Sequence, residues 1–302
     1  MAKIKDLQSK SFDYLLSEET RKKTENVILK LALFSFLLHI ATIYFFKLGL
    51  VATPGNSDLL NHPISAIYTP FSFILIYEVY LLIYYLPKSF TTYINKQYEI
   101  ITLIIIRKLL NDLSAIELTS NWFEVKDDLQ FTYDILASLV LFFLIYLFQR
   151  QGKRNLELQD KMGPVIQKYV YTKKLIAIIL VPLFIIMAVV TMVNWSAGIA
   201  LSSNQVLSFE TINNLFFDHF FTVLILVDVV LLLISFFYTD QFHKIIRNSG
   251  FVISTILLRM SFGVSGLIST ILIIVAVLFG LLIITIHNQY EKNTLPENEY
   301  IK

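Results

Sequence analysis

Residues 101–109 read ITLIIIRKL, and residues 253–261 read ISTILLRMS. Each stretch carries one arginine, Arg107 in the first and Arg259 in the second, at the end of an apolar run suited to hydrocarbon. An ionised side chain at the centre of a bilayer costs about 2.5 kcal/mol or more. Two of them in like surroundings need either partners or a task. Whether these runs lie in lipid therefore decides the fold.

Composition answers that question. The chain has 302 residues, of which 56% are hydrophobic and only 16% charged. A soluble domain is usually less apolar and more charged. Several runs reach about 18 mostly apolar residues, the length that crosses hydrocarbon as a helix. In lipid the backbone must satisfy its own hydrogen bonds, so such runs are helical, and their lack of alternation excludes a barrel. The expected fold is all-α: a polytopic integral membrane protein of about eight transmembrane helices. The spans fall at 27–46, 70–86, 98–118, 131–148, 175–193, 216–237, 250–262 and 267–286.

The net charge of +2 implies no polyanionic partner, and no nucleic acid is expected. The absence of cysteine excludes disulfides, thiolate metal sites and cysteine nucleophiles. The first apolar run starts behind a long mixed-charge leader, so no cleavable signal peptide is expected. That leader, 1–26, reads equally as an amphipathic surface helix with Ile4, Leu7, Phe12, Leu15 and Leu16 on one stripe, or as a polar tail.

Orientation follows from the basic residues. With the N-terminus in the cytoplasm, 20 of the 25 Lys and Arg lie on the inner side and only Lys47 and Lys126 lie outside. Eight spans return the C-terminus to the same side. A plasma membrane, of the bacterial inner-membrane kind, is the expected location. The basic stretch 150–174, broken by Gly163-Pro164, divides the chain into a first four-span unit, 27–149, and a second, 175–286, followed by a tail at 287–302.

The two units look related. Glu78 on the second span corresponds to Asp228 on the sixth, and Arg107 on the third to Arg259 on the seventh. Asp228 follows Glu78 by 150 residues, and Arg259 follows Arg107 by 152. Four spans per unit give both halves the same orientation, as in parallel-repeat transporters. At about 1.5 Å per residue, acid and base reach similar depths in each half. The expected pairs are Glu78–Arg107 and Asp228–Arg259, since a lone buried charge costs far more than a paired one. Such a pair can simply clip two helices together, or it can line a pathway.

Other candidates are weaker. Asp112, Glu117, Glu124 and Asp134 suit an acidic outer mouth to the first half, with Asp218 and His219 at the start of span six. Wetted helix ends explain them as well. His39, inside the first span, reads as a hydrogen-bonded core residue. Residues 263–266 carry the G-x-S-G string of rhomboid-type serine proteases, but no histidine lies at a matching depth on another span. The string reads instead as a hairpin of small residues. The five histidines are scattered and no nucleophile–base pair is visible, so neither an enzyme nor a cofactor nor a metal is expected.

These readings point to an ion or small-solute channel or transporter using Glu78, Arg107, Asp228 and Arg259. The competing reading is a non-transporting sensor or scaffold whose basic 149–174 segment and tails bind a cytoplasmic protein. Partners expected are the lipid bilayer, the transported ion or solute, and a second copy of the chain or that cytoplasmic protein.

Overall fold

The computed structural model describes residues 2–49, 66, 68–115, 126–156, 164–201, 209–239, 241–262, 264 and 266–294. Among these residues every regular element is a helix. They are α1 (Ala2–Leu16), α2 (Glu18–Lys47), α3 (Tyr68–Tyr85), α4 (Phe90–Ala115), α5 (Lys126–Leu156), α6 (Pro164–Leu201), α7 (Phe209–Phe236), α8 (Phe242–Phe262) and α9 (Leu267–Thr294). The leader is helical. It stops at Ser17, whose hydroxyl accepts from the Thr20 backbone at 3.1 Å and caps α2, with Glu18 and Glu19 in the first turn.

Five helices are long and apolar enough to cross a membrane, judged by length and composition: Lys10–Lys47, Leu129–Gly152, Gln167–Val190, His219–Phe236 and Leu267–Asn293. Thr69–Tyr85 is apolar but shorter. The helices holding the two signature arginines, α4 and α8, are more polar, since α4 also carries Lys96 and Glu99 and α8 also carries His243, Lys244 and Arg247.

Side-chain placement follows this division. The apolar helices turn large hydrophobic residues outward, among them Phe34 and Leu37 on α2, Leu139 and Phe143 on α5, and Ile185 and Ile186 on α6. The buried faces of α4 and α8 carry polar groups: Thr91, Gln97 and Thr102 on one, Arg247, Asn248, Ser254 and Thr255 on the other. Apolar surface on this scale would associate in water. In a bilayer it is the ordinary lipid-facing surface, and the chain is compatible with an integral, multi-pass membrane protein.

Packing groups the chain into two compact units, each discontinuous in sequence. The first comprises Met1–Tyr85, Ile106–Thr119 and Lys174–Thr222. In it α2 packs on α3, with α1 against α2. The tyrosines of α3 reach the leader: Tyr80 donates to the Leu15 carbonyl at 3.0 Å and Tyr77 to the Glu25 carboxylate at 2.7 Å. Arg21 lies 5.6 Å from the centre of the Tyr84 ring and 3.6 Å from Glu25. His39 is hydrogen-bonded to the Thr69 hydroxyl.

The second unit comprises Leu86–Ile105, Ser120–Lys173 and Val223–Lys302. Here α9 packs on both α8 and α5. A turn at Gly266, whose φ of +74° favours a residue without a Cβ, joins α8 to α9. At the centre, Tyr98 of α4 donates to the Ser254 hydroxyl of α8 at 2.6 Å, and Ser254 donates onward to the Ala276 carbonyl of α9 at 2.7 Å. Phe148 of α5 meets the Tyr98 ring edge-on at 4.9 Å and the Phe251 ring at 5.6 Å. Gly280 lets α9 approach this tyrosine closely.

Candidate functional site

Among the described residues, the most buried charges gather in the second unit. Asp228 lies on α7, where Leu224 and Leu231, one turn to either side, share its buried face. It is 1% exposed. Gln97 of α4, also buried, donates to its Oδ2 at 3.1 Å. The Tyr93 hydroxyl, one turn earlier on α4, acts on the same carboxylate. The Tyr93 oxygen and Asp228 Oδ1 are both fully buried.

The counter-charge is Lys173, near the start of α6 and 2% exposed. Its ammonium donates to the Lys88 carbonyl at 3.0 Å and lies 5.0 Å from the Phe90 ring centre and 5.1 Å from that of Tyr169. Carbonyl and ring faces substitute for water around the cation. The Tyr169 ring is itself held, its hydroxyl donating to the Leu231 carbonyl at 3.2 Å. Lys173 and Asp228 act on each other electrostatically without closing into a direct ion pair.

The first unit has a simpler counterpart. Glu78 on α3 is 4% exposed, and the charge of Arg107 reaches its carboxylate. The two lie on different helices, Glu78 on α3 and Arg107 on α4. For Asp228 the described contacts run to Gln97, Tyr93 and Lys173, while Arg259 stands half-buried on α8.

The other sequence candidates fall elsewhere. Asp134 is buried, and its Oδ1 accepts from Thr270 of α9 at 2.6 Å and from Gln130 at 2.9 Å. That geometry ties α5 to α9. His219 is exposed at the start of an apolar segment of α7. The side chains of Asp112 and Asp218, and residues Glu117 and Glu124 entirely, lie outside the described residues.

A second polar group occupies the α8–α9 end of the same unit. Arg247 is buried and donates from Nε and Nη2 to Asn248 at 3.2 and 3.1 Å, and from Nη1 to His287 Nε2 at 3.0 Å. A guanidinium cannot accept, so in this contact Nε2 is the accepting nitrogen. Burial lowers Arg247 to about 10, with Glu291 and Tyr169 opposing the shift, which leaves it charged at neutral pH. Burial, then the neighbouring His287, pulls His243 below the usual imidazole range. Asn288 donates to Gln151 of α5 at 3.1 Å.

Sequence reading passed over Lys173, Tyr93, Gln97 and Arg247. Lys173 looks like one more cytoplasmic lysine in a basic stretch. The usable signal was that the apolar run of α6 begins two residues later, at Leu175. Arg247-Asn248 and His287-Asn288 are matching dipeptides at level positions of a helical hairpin, which only the hairpin's short turn makes visible.

Comparison with protein families, with characterised proteins and with solved structures finds no match to this chain.

Proposed function

We propose that the chain carries a small cation or protons across a membrane, with Asp228 as the acceptor. The observation that carries this reading is a buried carboxylate on an apolar helix, beside a buried ammonium that does not touch it. A carboxylate inside a membrane bundle is costly, and such residues mark ion or proton pathways by default. A cation or proton arriving at Oδ1 neutralises Asp228 and weakens its hold on Lys173. Return of the Lys173 attraction expels it. Glu78 with Arg107 supplies the same opposition of charge in the first unit, and Arg259 remains a candidate in the second.

The proposed topology has eight spans in two tandem four-helix units, related by duplication, with both termini cytoplasmic in a plasma membrane. Support comes from the five apolar helices and the shorter Thr69–Tyr85. In this topology α4 and α8 complete the set as inner helices, their polar faces turned from lipid.

The test is flux. Purified protein in liposomes is challenged with proton, sodium, potassium and chloride gradients. Wild type is compared with Asp228→Asn and Glu78→Gln. Flux of one cation that Asp228→Asn abolishes is expected. Absence of flux for every ion, with correctly folded protein in the vesicles, rules the proposal out.

A further inference from the structure

His243, His287 and Glu291 converge at one end of the α8–α9 hairpin, with one potential ligand atom of each within 4.8 Å of the others. The hairpin explains why. From the turn at Gly266, His243 lies about as far back along α8 as His287 lies forward along α9, so the two are level. Glu291 follows His287 by four residues, one turn further on the same face. The two imidazole rings stack with centres 5.2 Å apart.

His287 and Glu291 also approach one another closely. Nε2 of His287 and Oε1 of Glu291 lie 3.3 Å apart. The same nitrogen faces a donor, Arg247, and an acceptor, the Glu291 carboxylate, and it can serve only one of them at a time. Tetrahedral zinc with bonds of about 2.0–2.2 Å holds its ligand atoms about 3.3–3.5 Å apart. The spacing is therefore that of two ligands on one metal edge. In this structure the nearby cation is the Arg247 guanidinium, whose Nη1 is 3.0 Å from Nε2 and whose charge reaches Glu291.

We propose that His243, His287 and Glu291 form a binding site for a divalent transition metal of the zinc class, and that Arg247 occupies its charge position when no metal is bound. His287, 2% exposed, is the fixed ligand. His243 and Glu291 are half-exposed and close onto the metal by side-chain rotation, leaving a fourth position to water. The donor set of two imidazoles and a carboxylate suits Zn²⁺ and Co²⁺ over Mg²⁺ or Ca²⁺, which prefer oxygen. Metal and guanidinium compete for the same lone pairs, so binding displaces Arg247 from Nε2.

The test uses the full chain in detergent, purified by a tag without histidine. Calorimetric titration with Zn²⁺ is expected to give one saturable site per chain, and Co²⁺ to give the visible absorption of a tetrahedral nitrogen–oxygen site. His243→Gln and Glu291→Gln each weaken Zn²⁺ binding at least about tenfold, while Arg247→Gln strengthens it. His243 is half-exposed, so its variant is expected to keep the metal-free melting temperature and decides the matter if Glu291→Gln does not fold. No saturable binding, or binding that His243→Gln leaves unchanged, overturns the site. Weaker binding in Arg247→Gln overturns the competition.

Discussion

Replacing Gly280 by Ala should destabilise the protein, although the same change in a free helix is stabilising. An alanine in a helix interior is favoured over glycine by about 1 kcal/mol. At position 280 the added Cβ would lie 1.9 Å from the Tyr98 hydroxyl, 3.0 Å from its ring carbon Cζ and 3.2 Å from the Ser254 hydroxyl. Tyr98 cannot yield easily. It is fully buried, wedged edge-on against Phe148 at 4.9 Å, and donates to Ser254 at 2.6 Å. Displacing it breaks the relay that runs through Ser254 to the Ala276 carbonyl. Overpacking costs about 1–3 kcal/mol. Losing the relay adds about 0.5–1.5 kcal/mol for each of its two bonds. Set against the helix gain, the net loss should be about 1–5 kcal/mol. Reversible unfolding in mixed detergent micelles measures it. The double variant Gly280→Ala with Tyr98→Phe removes the atom at 1.9 Å, so it should recover part of the loss despite forfeiting a hydrogen bond. Unchanged or raised stability in Gly280→Ala would show that α9 does not approach α4 as described. No recovery in the double variant would place the strain elsewhere.

Two further outcomes follow from the buried polar contacts. Thr270→Val removes a donor at 2.6 Å from the buried carboxylate of Asp134, and should cost about 1.5–3 kcal/mol in the same unfolding assay while leaving flux intact; loss of flux with normal stability would return Asp134 to the transport path. Asp228→Asn and Lys173→Gln should each destabilise, by up to about 3–5 kcal/mol, with the double variant losing at least about 1 kcal/mol less than the two singles added together; strict additivity would mean that the two charges do not sense one another.

The apolar runs announced helices and a membrane, because in hydrocarbon the backbone leaves no alternative to internal hydrogen bonding. Glu78 and Asp228 were conspicuous for a related reason. A carboxylate costs so much inside an apolar segment that its mere presence marks a buried site, and both prove to be buried. Depth alone could not name the neighbours of Asp228, because it does not say which face of which helix turns toward it. Gln97 and Tyr93 come from α4, 131 residues away in the case of Gln97.

By itself, then, the sequence determined the helical class, the apolar segments and the positions where charge enters them, since each depends only on local transfer free energy. Tertiary structure decided three things that no local property encodes. It sealed Lys173 under Phe90 and Tyr169, although a lysine count places it in water. It turned scattered histidines into neighbours, since His243 and His287 meet only through the tight turn at Gly266. It also seated Tyr98 against a residue without a side chain. Burial, level positions in a hairpin and the fit of large against small belong to pairs of helices, and a chain shows its pairs only once it is packed. The arginines of ITLIIIRKL and ISTILLRMS illustrate both parts. Their cost could be read from two short strings, and the groups around them could not.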